Sequence, residues 1–130
     1  MLGDSHPMII QEYIKNSSGK DIRVIVVGDE ILGAMMRVSN SGFKSNFHQG
    51  GSVKFLEIDE EMKNIALKAS KSVGLKMAGV DLLIDSNGYK ICEINSSPGY
   101  EGFELATGIN VSNRILQYAI SKKWFLMKYQ

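Results

Sequence analysis

Two runs rich in valine and isoleucine, Asp21 to Val27 and Glu30 to Val38, flank the dipeptide Gly28-Asp29. β-Branched side chains favour extended backbone, and a tight glycine-containing turn lays successive strands side by side, so this stretch predicts a β-hairpin. The pattern returns at Ala78 to Ile84 and Tyr89 to Asn95, separated by Asp85-Ser86-Asn87-Gly88. Between the hairpins, Met62, Ile65, Ala66, Ala69 and Val73 recur at helical spacing, with Asp59 as N-cap and Gly74 as the stop. A second helical stripe, Val111, Ile115, Leu116, Ala119 and Ile120, runs up to Lys122-Lys123, cations suited to a helix carboxyl end. Met8 to Ile14 predicts a further strand that stops at Asn16-Ser17-Ser18-Gly19, and Val53 to Glu57 a short one. Ser96 to Gly102 reads as loop, because a proline and two glycines suit neither helix nor strand. The fold class that follows is α+β, an antiparallel β-sheet with helices packed on it.

Composition narrows the function classes. The chain has 130 residues, the size of one domain, with 15 Lys or Arg against 14 Asp or Glu and a net charge of +1. No basic excess points to nucleic acid or an anionic membrane. No apolar run approaches the ~20 residues that span a bilayer, and no basic segment leads an apolar stretch at the amino end. A single cysteine forms no internal disulfide and rules out a zinc site built on cysteines. The expectation is a cytoplasmic domain. Cys92 itself is expected to point away from Glu93 as a buried core thiol.

The segment Gly79 to Asn95 carries the chemistry. Glu93 and Asn95 share one face of a strand, since side chains alternate. A three-residue loop of Ser86, Asn87 and Gly88 would pair Asp85 with Tyr89, Leu83 with Ile91, and Asp81 with Glu93. Opposed carboxylates repel, and a divalent cation removes that penalty. Two carboxylates and an amide oxygen form a hard oxygen site suited to magnesium or manganese. The plain alternative is a solvated Asp and Glu on an open sheet face, and a two-residue loop of Asn87-Gly88 would separate them.

Residues 39 to 52 are polar and glycine-rich, and with Arg37, Lys44, Ser45, Asn46, His48, Gln49, Gly50 and Gly51 they have the ingredients of a phosphate cradle or of an ordinary surface loop. Asp21 and Arg23 alternate with Ile22 and Val24, which by itself means only a polar and an apolar face. Trp124 to Met127 reads as helix packing or a partner surface.

In order along the chain, Gln11-Glu12-Tyr13-Ile14, Gly19-Lys20-Asp21-Ile22-Arg23, Phe43 to Gly51, Gly79-Val80-Asp81 and Glu93-Ile94-Asn95-Ser96-Ser97-Pro98-Gly99-Tyr100-Glu101-Gly102 resemble the RimK-like branch of the ATP-grasp ligases. The resemblance covers about residues 8 to 123, and Gly-Val-Asp with Glu-x-Asn-x-Ser-Pro-Gly is its specific part. It implies ATP-dependent joining of a carboxylate to an amine through an acylphosphate. It further implies that Asp81, Glu93 and Asn95 are magnesium ligands, with manganese as a substitute. Glu12, Tyr13 and Asp21 would meet the nucleotide, Lys44, Ser45 and Asn46 would lie along its phosphates, and Arg23 would act as an electrostatic clamp. Arg23, Lys44 and Asn46 are the catalytic candidates.

Two positions depart from the family pattern: Lys44 stands where an arginine is usual, which keeps the charge but loses the bidentate fork, and Gln49 replaces another arginine. The resemblance also implies an amino-terminal domain and a lid domain that 130 residues do not contain. Residues 1–7 are then a leader or the tail of a missing element, and 8–130 the carboxyl-terminal ATP-grasp subdomain of a longer enzyme. The expected partners are ATP, glutamate and a carboxylate acceptor such as the carboxyl end of a ribosomal protein. The alternatives are an amino-group carrier protein or small cofactor as acceptor, or a non-catalytic nucleotide-binding domain.

Overall fold

A computed structural model describes residues 7–40 and 51–128. Its centre is the expected hairpin, β1 (Lys20–Val27) and β2 (Glu30–Val38), joined at Gly28-Asp29. Gly28 has φ of +66°, and a Cβ there would lie 2.5 Å from the Tyr118 ring, so both the turn and the packing require glycine. β3 (Ser52–Leu56) pairs with β2, while β4 (Met77–Asp85) pairs with β1 and β5 (Gly88–Asn95) with β4. The result is one antiparallel five-stranded sheet in the order β3-β2-β1-β4-β5.

β1 lies in the middle, and its second half is covered on both faces, which is why Val24-Ile25-Val26-Val27 reads as a continuous apolar run. On one face, Ile22, Val24, Val26, Val80 and Leu82 pack against Met62, Ala66 and Ala69 of α1 (Glu60–Ser72). Asp59 caps this helix as expected, accepting from the Met62 amide at 2.7 Å. On the other face, Ile25, Val27 and Met35 pack against Phe103 of α2 (Glu101–Thr107) and Val111 of α3 (Val111–Lys128). These two helices cover only one end of that face. The other end holds Asp21, Arg23, Arg37, Asp81 and Glu93 and stays open. No helix among the described residues is long and apolar enough to cross a membrane.

Three expectations are corrected. Met8 to Ile14 forms no strand; Met8, Ile9 and Ile10 are exposed, and the segment pairs with neither sheet edge. Composition set its local preference, but a strand exists only where a partner supplies the ladder. The stretch read as loop through Gly102 turns helical at Glu101, because Phe103 is driven fully into the core. The last helix continues past Lys122-Lys123 to Lys128.

Candidate active site

The register of β4 on β5 differs from expectation and still brings the two carboxylates together. The turn encloses only Ser86 and Asn87, pairing Asp85 with Gly88 and Leu82 with Ile91. In that register Glu93 would fall on the α1 face. A β-bulge then leaves Cys92 without a partner, and beyond it Asp81 stands opposite Glu93 and Gly79 opposite Asn95. The extra residue expected in the turn sits in the strand. Cys92 is consequently not a core thiol: it is exposed and lines the same cleft as Glu93. Partial burial and the nearby Asp81 carboxylate hold its pKa above the ordinary thiol value.

A bulge performs the same service in the first hairpin. Val26 pairs with Ile31 but Ile25 with Gly33, so Leu32 is the extra residue and Asp21 comes to oppose Arg37. The row across the sheet then reads Phe55, Met35, Arg23, Asp81, Glu93, with Arg37 and Asp21 paired one step further along.

These side chains form a charge network. Arg23 grips Asp81 with both ends of its fork, Nε to Oδ1 and Nη2 to Oδ2, each at 2.8 Å. Arg37 grips Asp21 in the same way at 2.7 and 2.6 Å, and its Nη2 also donates to Asp81 Oδ2 at 2.7 Å. Asp81 is 4% exposed and Arg23 9%, so this pair is largely desolvated, while Arg37 and Asp21 are partly exposed. Burial opposes the charge on Arg37, but its hydrogen bonds and its proximity to Asp21 and Asp81 outweigh burial and raise its pKa. Pro98 closes over Gly79 beside this network; a Cβ on Gly79 would lie 2.6 Å from the Pro98 ring.

The open face forms a cleft of about 890 Å³ whose lining includes Glu12, Tyr13, Asp21, Arg23, Asp81 and Glu93. Asn95 lies next along β5; its Oδ1 accepts from the Ser97 amide at 2.9 Å and keeps a second lone pair. Glu12 reaches Lys90 at 3.1 Å at the rim. Lys44, Ser45, Asn46, His48 and Gln49 lie outside the described residues. Arg37, grouped with the 39–52 loop in the sequence, lies on the open face beside Asp21 and Asp81; without the Leu32 bulge it would face the α1 core.

Two carboxylates and an amide are donor types that a hard divalent cation takes, and here both Asp81 oxygens accept from arginines. Asp81, Glu93 and the Asn95 amide project from facing positions of two strands, and no hydrogen bond or ion pair forms to Glu93 among the described residues. The penalty of opposing carboxylates, expected to need a metal, is met within the protein by Arg23 and Arg37 on Asp81.

The antiparallel sheet with its packed helices is a fold shared with ATP-grasp ligases of known structure. The ligase PsnB, solved with a phosphomimetic variant of its minimal precursor, Mg and ADP, superposes with a TM-score of 0.68 at 26% identity, over 87% of this chain and 34% of that one. The chain belongs to the RimK-like ATP-grasp domain family, whose pattern matches residues 1–119. It is 44% identical over 111 residues to the "Probable alpha-L-glutamate ligase" of Trichodesmium erythraeum (strain IMS101) and 46% identical over 112 residues to the "Probable alpha-L-glutamate ligase 2" of Shewanella denitrificans (strain OS217), covering 85% of this chain in each case. It spans 37% of the length of either relative.

Proposed function

We propose that this chain is the carboxyl-terminal nucleotide- and cation-binding part of a cytoplasmic, ATP-dependent carboxylate-amine ligase that adds glutamate to a protein or peptide carboxyl end, such as that of a ribosomal protein. The observation that carries the reading is the pairing of Asp81 with Glu93 on the open face, ringed by Arg23, Arg37 and Asp21. The glutamate-ligase names of the relatives and the precursor-bound state of PsnB support the substrate class.

In this reading the acceptor carboxylate attacks the γ-phosphorus of ATP, the bond to the bridging oxygen breaks, and ADP leaves. The amino group of glutamate then attacks the acylphosphate carbon, so an amide forms while phosphate departs and the amine loses a proton. A bound magnesium ion would neutralise the charge gathering on the phosphate oxygens. Asp81, Glu93 and Asn95 would hold it, and Arg23 would fix the Asp81 carboxylate in place. Glu12 and Tyr13 line the rim where the base would enter; Lys44, Ser45 and Asn46 supply phosphate donors. The chemistry depends on positioning and charge neutralisation.

Calorimetry of Mg2+-ADP binding tests this. The 130-residue chain should bind in a magnesium-dependent way, and Glu93→Ala should weaken binding at least about tenfold, the effect of losing one close charged ligand. Binding unchanged by that substitution would refute the metal assignment.

A further inference from the structure

Asp81 is already committed to arginines: Oδ1 accepts from Arg23, and Oδ2 accepts from both Arg23 and Arg37. A cation approaching this carboxylate therefore meets two fixed positive charges. The two arginines are not equally held. Arg23 has both strong bonds on Asp81 and otherwise only a 3.4 Å contact to the Gly99 carbonyl. Arg37 keeps a complete two-bond grip on Asp21 whether or not it touches Asp81, and the Nη2 that reaches Asp81 is shared between both carboxylates. Letting go of Asp81 costs Arg37 one shared bond, whereas it costs Arg23 its whole charge-assisted pair.

We infer that Arg37 is a positioning residue that stands in for the cation, neutralising Asp81 when the site is empty and retreating onto Asp21 when a divalent ion arrives. The inference rests on the proposed reading of Asp81 and Glu93 as cation ligands. Its consequence has an unusual sign. Asp21, Asp81 and Glu93 set against Arg23 and Arg37 leave one net negative charge; without the Arg37 charge they leave two. The free cation then binds more tightly, while the anionic nucleotide loses an attracting group and binds more weakly. A residue that only held the sheet together would move both affinities the same way.

The test is Mn2+ binding without nucleotide, read by the loss of free-ion paramagnetic resonance signal, alongside calorimetry with Mg2+-ADP. Arg37→Gln should tighten Mn2+ by about tenfold at low ionic strength, where a nearby unit charge acts on a dication with little screening. The same variant should weaken Mg2+-ADP. Arg37→Lys keeps the charge and should leave Mn2+ affinity within about twofold of wild type. Circular dichroism identifies any variant that fails to fold; if Arg37→Gln does, Arg37→Lys and Arg37→Met carry the comparison. Weaker or unchanged Mn2+ binding in the neutral variant, with Glu93→Ala still abolishing it, overturns the stand-in role alone. Mn2+ binding indifferent to Glu93→Ala, or absent from wild type and variants alike, overturns the cation-site reading as well.

Discussion

Removing the Asp81 carboxylate is the sharpest test of how the charge network is held. In Asp81→Ala, Arg23 loses both bonds of its fork and keeps only the long contact to Gly99, while being only 9% exposed at the cleft wall. Arg37 loses one bond of three and keeps Asp21. The main penalty is thus one uncompensated buried guanidinium, worth about 3–5 kcal/mol. With a urea slope of roughly 2 kcal/mol per molar, the unfolding midpoint should fall by about 1.5–2.5 M. The double variant Arg23→Met/Asp81→Leu removes both members and leaves Asp21 with Arg37 as a neutral pair. It should come within about 1 kcal/mol of wild type, since well-packed apolar groups replace a buried pair with little loss. Urea melts followed by far-ultraviolet circular dichroism on the four corners of the cycle give both numbers. A double variant as unstable as the single one, or a single variant losing less than about 1 kcal/mol, would show that the pair behaves like a solvent-exposed ion pair and refute the reasoning.

Two further predictions follow from packing and protonation. Gly79→Ala drives a methyl group against the Pro98 ring and should cost about 1–3 kcal/mol by overpacking, measured as a lowered melting temperature; an unchanged value would mean that the Ser97-Pro98 loop yields freely. Burial, followed by the hydrogen bond to Asp59, pushes the Tyr89 phenol from its ordinary 10 up to about 12, so the folded state favours the protonated form. That contribution is complete below pH 10 and is lost as pH rises towards 12, so the stability of wild type relative to Tyr89→Phe should fall across this window. A difference that stays constant from pH 9 to 12 would contradict the assignment.

Much of this was legible in the sequence because the signals were local. The Gly28-Asp29 hairpin, the Asp59 cap and both long helices follow from side chains a few residues apart. The Asp81 and Glu93 pairing was reached as well, through a turn that the molecule does not use. What escaped depended on distant partners. Met8 to Ile14 has strand composition and no ladder to join; Phe103 makes a helix where Pro98 and Gly99 announced only a loop. Cys92 changed faces, and Arg37 came to the charged face, because a bulge is decided by the whole sheet, and nothing in Ile91-Cys92 or Ile31-Leu32 marks one.

The two bulges give the cleft a particular kind of fragility. Which face a strand residue meets is a matter of odd and even counting, and each hairpin contains one residue that changes the parity between its turn and the charged position. Leu32, which also packs against the second core cluster, and Cys92 matter there as places in a sequence. Dropping either one turns Arg37 or Glu93 inward among the valines and methionine packed under α1. The site is thus written partly in spacing, and a comparison with relatives that weighs residue identity without the count between turn and ligand would miss half of what specifies it.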